Sequence, residues 1–269
     1  MRQINRRIWA GIGAATLVSA VSGLPTVGDQ PKKSAKSEPT TASGPGRGGE
    51  TYLSDGGPSD TRVRYIRDLT LFVGQVMIAQ ELVTADQWDD ALSHLIEQTA
   101  DVRDAMQPYL QRHGLAPFAA DLAALADAIE ARDADAFRRA RVILDVNLNA
   151  ASALVKRFST PHYRFALRAL IETAKAASSA YEAALDGNAV QNVAEYREGR
   201  GYMAAARLQL AEIQSELANV DDTKARMIAA EFEALANAWP TLKPPKSVAH
   251  TTTDVAEHVA RLVALAASY

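Results

Sequence analysis

Thr84-Ala85-Asp86-Gln87-Trp88 and, 108 residues later, Asn192-Val193-Ala194-Glu195-Tyr196 open two stretches of matching design. In each, a small polar residue stands three places before Gln or Glu. A cap side chain and a carboxyl or carboxamide at that spacing satisfy two orphan backbone amides reciprocally, so each stretch predicts a helix start. The offset continues along the helix: Leu95 matches Met203, Val102 matches Leu210 and Tyr109 matches Leu217. Trp88, Leu92, Leu95, Thr99, Val102, Met106 and Tyr109 step by four and three, a seam suited to packing in a helical bundle. Tyr196, Gly199, Met203, Ala206, Leu210, Ile213 and Leu217 repeat it.

Outward from these two helices the pattern stays helical. A first helix over residues 61–82 carries Ile66, Leu69, Val73, Val76 and Met77 on one face. Gly114 ends the seam helix, and Pro117 sits at the start of a third running to Arg132. Asp133 or Asp135 caps a fourth, with Phe137, Ile143, Leu144, Leu148 and Leu154 expected inside. Pro161 starts a fifth, and Asp186-Gly187-Asn188 turns the chain into the second seam helix. Asp221 or Asp222 begins a seventh that ends at Trp239-Pro240, and an eighth follows from Thr252. The common offset and equal helix count predict an all-α protein of two tandem, duplicated antiparallel four-helix bundles, residues 61–158 and 159–269.

The N-terminus reads as an export signal. Arg2, Arg6 and Arg7 precede the apolar run Ile8–Leu24, and Val18-Ser19-Ala20 offers small residues for cleavage. Residues 1–24 are thus a signal peptide or, if uncleaved, an anchor whose residues 8–24 touch the membrane. Residues 25–60, rich in Pro, Gly, Ser and Lys, cannot bury enough apolar area to offset chain entropy and read as a disordered linker. The remainder is expected in the periplasm.

Composition narrows the function. The chain of 269 residues is 48% hydrophobic and 23% charged, with a net charge of −3, so no basic field for nucleic acid exists. It has no cysteine, which excludes disulfides, thiolate metal sites and thiol catalysis. No phosphate loop, nucleophile elbow or His-Glu-x-x-His pattern occurs, so no enzymatic activity is expected.

Two polar groups stand out. His94, Glu97 and Asp101 lie along the first seam helix between Asp90 and Asp104, and an imidazole with carboxylates on adjacent turns suits a divalent or ferric ion. The alternative is a solvated acidic flank. Glu195, Glu198, Arg200 and Tyr202 cluster on the second, where they form either a ligand site or structural contacts. In the structural reading Glu195 completes the capping box and Arg200 pairs with Glu172 or Glu231.

The run Tyr181 to Tyr202, with its Gly187-x-x-Val190 turn, Asn192 cap, Glu195-Tyr196 and Gly201-Tyr202, resembles exported proteobacterial helical proteins. These include the periplasmic N-terminal module of high-affinity iron/lead permeases. Val73-Gly74, Ala91-x-x-His94, Pro117-Phe118 and Leu122-x-x-Leu125 resemble the companion pattern of the same proteins. Such relatives carry a second His and a Pro where this chain has Glu97 and Gln98. The resemblance implies a periplasmic, non-enzymatic metal-binding or accessory protein connected with iron, partnered by a membrane metal transporter or another envelope protein. The alternative is a structural protein–protein interaction module without metal.

Overall fold

A computed structural model describes residues 60–269. The expected signal or anchor, and the linker up to residue 59, lie outside the described residues. Among these, seven helices and one two-residue hairpin form. None of the helices is long and apolar enough to cross a membrane.

Helix α1, Thr61–Thr84, is the centre of the fold. Asp60 caps it by accepting from the Arg62 amide. The sequence pattern assigns it one apolar face, but it is buried on nearly every side. Phe72, Leu71, Ile78 and Leu82 are inaccessible to solvent along with Ile66 and Val76, and so is the polar Gln75. Helix α2, Trp88–Arg112, packs on α1, and Phe118 before α3, Ala119–Glu130, stacks on Phe72 with ring centroids 5.1 Å apart. Helix α4, Ala134–Phe158, completes the first half, capped by Asp133 through the amides of Asp135 and Ala136.

Two expectations here fail for physical reasons. Thr84 does not cap α2, because α1 continues through it and its hydroxyl donates to the Gln80 carbonyl. The α2 N-cap is Gln87, without a side-chain cap bond. Ile143 lies 58% exposed, and Leu154 is half-buried, because α4 packs through Phe137, Ala140, Leu144, Leu148, Ala151 and Val155 instead.

In the second half, α5, His162–Ala184, leads into strands β1, Leu185–Asp186, and β2, Ala189–Val190, paired antiparallel around Gly187 at φ +60°. Glycine meets the positive φ at no steric cost. Helix α6 spans Val193–Ala236, which in one straight piece would reach about 66 Å. It folds back instead. Asp221 adopts extended angles (φ −155°, ψ 97°), and its carboxylate accepts from the Lys224 amide, capping the return arm. Arg207 meets Glu233 at 2.8 Å across the two arms, and Gln214 donates to the Ala225 carbonyl. The expected sixth and seventh helices are therefore the arms 193–220 and 222–236. Helix α7, Thr252–Ala266, starts with a reciprocal box between Thr251 and Asp254.

The two halves do not close separate cores. Helix α1 packs on α2, on α5 and on α6, so one apolar core runs through both. The contact that joins them is set by glycine. A methyl group on Gly74 of α1 would lie 2.6 Å from the Gly201 carbonyl, and one on Gly201 would lie 2.6 Å from the Gly74 oxygen. No other residue lets these two backbones touch.

Candidate functional site

The close crossing of α1 and α6 brings a polar group into the core. Glu195, Glu198 and Tyr202 recur at three and four residues along α6, so they share one helix face. That face points inward: Glu195 is 1% exposed, Glu198 4% and Tyr202 0%. Tyr202 donates its hydroxyl to Glu198 Oε1. Burial, and then the adjoining carboxylate, push the phenol well above its ordinary pKa, so Tyr202 remains a donor. Gln75, adjacent to Gly74 on α1, is fully buried and faces the same hydroxyl.

Local capping explains why Glu195 can turn inward. The Asn192 side chain accepts from the amides of Ala194 and Glu195, as the sequence predicts. The Asn192 amide, however, already donates to the Ala184 carbonyl at 3.1 Å. That amide would have been the Glu195 target in a capping box. With the target satisfied by the end of α5, the carboxylate turns into the core.

The other predicted residues diverge. Arg200 pairs with neither Glu172 nor Glu231. Its Nη2 and Nε reach Glu81 Oε2 at 2.9 and 3.2 Å, and its Nη1 donates to the Trp239 carbonyl at 2.8 Å. Glu172 is met by Lys175, and Glu231 by His258 and Arg261. Arg200 thus joins the end of α1 to the end of the α6 return arm. Gly199 beside it admits Trp239, whose ring would lie 2.8 Å from any added methyl group.

His94, Glu97 and Asp101 are not brought together. His94 is 5% exposed, against the arm of α6 that carries Arg197, while Glu97 and Asp101 face solvent. Three residues turn a helix by about 300°, and here the edge of the packed face falls between His94 and Glu97. Burial, and then the Arg197 charge, depress the His94 pKa to about 3, so the imidazole is neutral. Its Nε2 has no partner. Arg197 itself clasps α2, reaching Asp90 at 2.9 Å and Gln87 at 3.1 Å. Among the described residues, no group of three or more His, Asp or Glu side chains is placed to hold a metal ion.

Residues 159–269 match the family model of the iron permease-associated 4-helix bundle domain. No curated protein and no solved structure matches the chain. The resemblance to iron-permease modules thus holds over the part from α5 to the C-terminus. The matched segment contains Glu195, Glu198, Arg200 and Tyr202; Gln75, Gly74 and His94 lie before it. The buried polar group is therefore assembled from the matched segment and from α1 together.

Sequence reading missed Gln75 and the pair Arg67–Asp68, both on α1. Arg67 and Asp68 are each 2% exposed and meet at 2.6 Å. Burial raises the Asp68 pKa against the opposing pull of Arg67 and Arg64. A signal existed: polar residues interrupt α1 at several phases, and a helix without one clean apolar stripe, yet rich in large apolar residues, is a buried one.

Proposed function

We propose that this protein is an exported, non-enzymatic accessory of iron uptake, and that Glu195 and Glu198 are where it engages the metal. The observation that carries the reading is their position. Two carboxylates one turn apart lie in the core of the half that matches the iron permease-associated domain, beside the fully buried Gln75 amide. The donors there are oxygens: two carboxylates, the Gln75 carbonyl and the Tyr202 phenol. That set suits a hard cation, such as ferric or a divalent metal ion, better than a soft one. A metal held here is cargo, and its charge would offset the desolvation of the two carboxylates.

In this reading residues 1–24 direct export, residues 25–60 are a tether, and the helical part works in the periplasm beside a membrane metal transporter. An internal duplication produced the two seam helices, and only the second acquired the inward carboxylates.

The test is calorimetric titration of the exported chain with ferric, ferrous, zinc, manganese and copper ions. Saturable heat is expected with iron in the wild type and not in the Glu195→Gln/Glu198→Gln variant. Absence of saturable heat with any metal overturns the metal reading.

A further inference from the structure

Helix α4 presents an apolar line to solvent. Val142 and Ile143, 63% and 58% exposed, are the two most exposed large apolar side chains among the described residues, and Val146, one turn on, is 52% exposed. Asn149, Ala150 and Ala153 continue the line, and all three are exposed. Val142, Val146, Asn149 and Ala153 step by four, three and four, the spacing of a seam that packs against another helix. The opposite face of α4 already contributes Leu144, Leu148 and Val155 to the core, and among the described residues nothing covers the line.

We propose that a second copy of this chain covers this face, with the two α4 helices packed antiparallel about a two-fold axis at Val146. The charges select this occupant and this direction. Asp135, Val146 and Arg157 are spaced by eleven residues, close to three whole turns, so they lie on one line along the helix. Asp135, which also meets Arg138 on its own helix, and Arg157 are both exposed. Antiparallel pairing about Val146 sets Asp135 of each copy against Arg157 of the other. It places Val142 against Ala150 and the Arg139 stem over Ala153. A parallel pair would oppose Asp135 to Asp135 and Arg157 to Arg157. The two helix dipoles also oppose favourably in the antiparallel arrangement. The surface is self-complementary, as an isologous contact requires.

The inference does not rest on metal binding, and its test reads mass alone. Sedimentation velocity of the exported chain, run metal-free from low to high micromolar concentration, should show a reversible monomer–dimer equilibrium. Val146→Asp places two like charges at the axis and should yield monomer, with a far-ultraviolet spectrum and melting curve like the wild type because the side chain is exposed. Asp135→Arg and Arg157→Asp should each weaken association about tenfold or more, and the double exchange should restore it. A wild type that stays monomeric throughout, or a Val146→Asp protein that dimerises like the wild type, overturns the interface. Failure of the double exchange to restore association overturns the antiparallel register.

Discussion

The helix α2 and the first arm of α6 carry the same seam and meet different neighbours. Trp88 and Tyr196, Leu95 and Met203, and Val102 and Leu210 are buried in pairs at the common offset. Around that shared seam the polar residues go opposite ways. At matching places Asp90 of α2 reaches solvent while Glu198 of α6 enters the core, and Gln87 is half-buried while Glu195 is enclosed. The cause lies in two glycines. Gly199 and Gly201 let α6 touch Trp239 on one side and the backbone of α1 on the other. The corresponding place on α2 for Gly201 is Ser93, which is exposed. A seam fixes which face packs first; the size of the flanking residues decides how much further a helix is enclosed.

The largest way to break the comparison is to restore bulk at the crossing. Gly201→Ala adds a methyl group 2.6 Å from backbone atoms of α1 that have nowhere to move. Helix propensity would favour alanine by about 1 kcal/mol, yet overpacking against backbone should outweigh it and cost about 3 kcal/mol or more net. Ser93→Ala, at the matching place on α2, should stay within about 0.5 kcal/mol of the wild type. Chemical denaturation of both variants checks the pair; equal stability would mean that the close crossing does not hold the fold.

Much of the fold is legible in the sequence, because caps and turns are local. Asn192, Asp133 and Asp221 start helices where the pattern places them, and Gly187 turns the chain. What periodicity cannot tell is how many neighbours surround a helix. It therefore gave α1 one apolar face, put Ile143 inside, and grouped His94 with Glu97. The Arg200 partner was equally hidden, since Glu81 is more than a hundred residues away and nothing local links the two. The Glu195–Glu198–Tyr202 group was visible as a spacing, whereas its inward direction depends on Gly74 of a different helix.

His94 and Tyr202 stand at the common offset of 108 residues, and both are titratable and buried. Burial disfavours the charged form of each, so the shifts run in opposite directions. The His94 pKa falls from 6.5 to about 3. Between those values the unfolded chain takes up a proton that the folded chain refuses, so stability drops as pH drops, by about 1.4 kcal/mol per unit. At pH 5 the loss from this group is about 2 kcal/mol, and His94→Gln should remove that share of the acid slope. Tyr202 works at the other end. Its folded pKa is raised, so its contribution is complete below pH 10 and is lost as pH rises beyond it. Tyr202→Phe should flatten the alkaline limb and leave the acid limb as it was. Denaturation midpoints across pH separate the two, and a His94→Gln protein with an unchanged acid slope would refute the neutral, buried imidazole.

The smallest difference lies at the helix starts, where the two stretches look most alike in sequence. Asn192 accepts from two amides that otherwise have no intrahelical partner, so Asn192→Ala should cost about 1 kcal/mol. Thr84 makes no such bond, and its hydroxyl returns to the Gln80 carbonyl on the exposed end of α1. Alanine also has the higher helix propensity there, so Thr84→Ala should be neutral or slightly stabilising. The two substitutions remove comparable polar groups from the same motif position, and their unequal cost, read from urea midpoints at constant slope, would separate a cap that forms from one that exists in the pattern alone. Equal destabilisation by both would show that Thr84 caps α2 in solution, and would make the two helix starts alike in structure as well as in sequence.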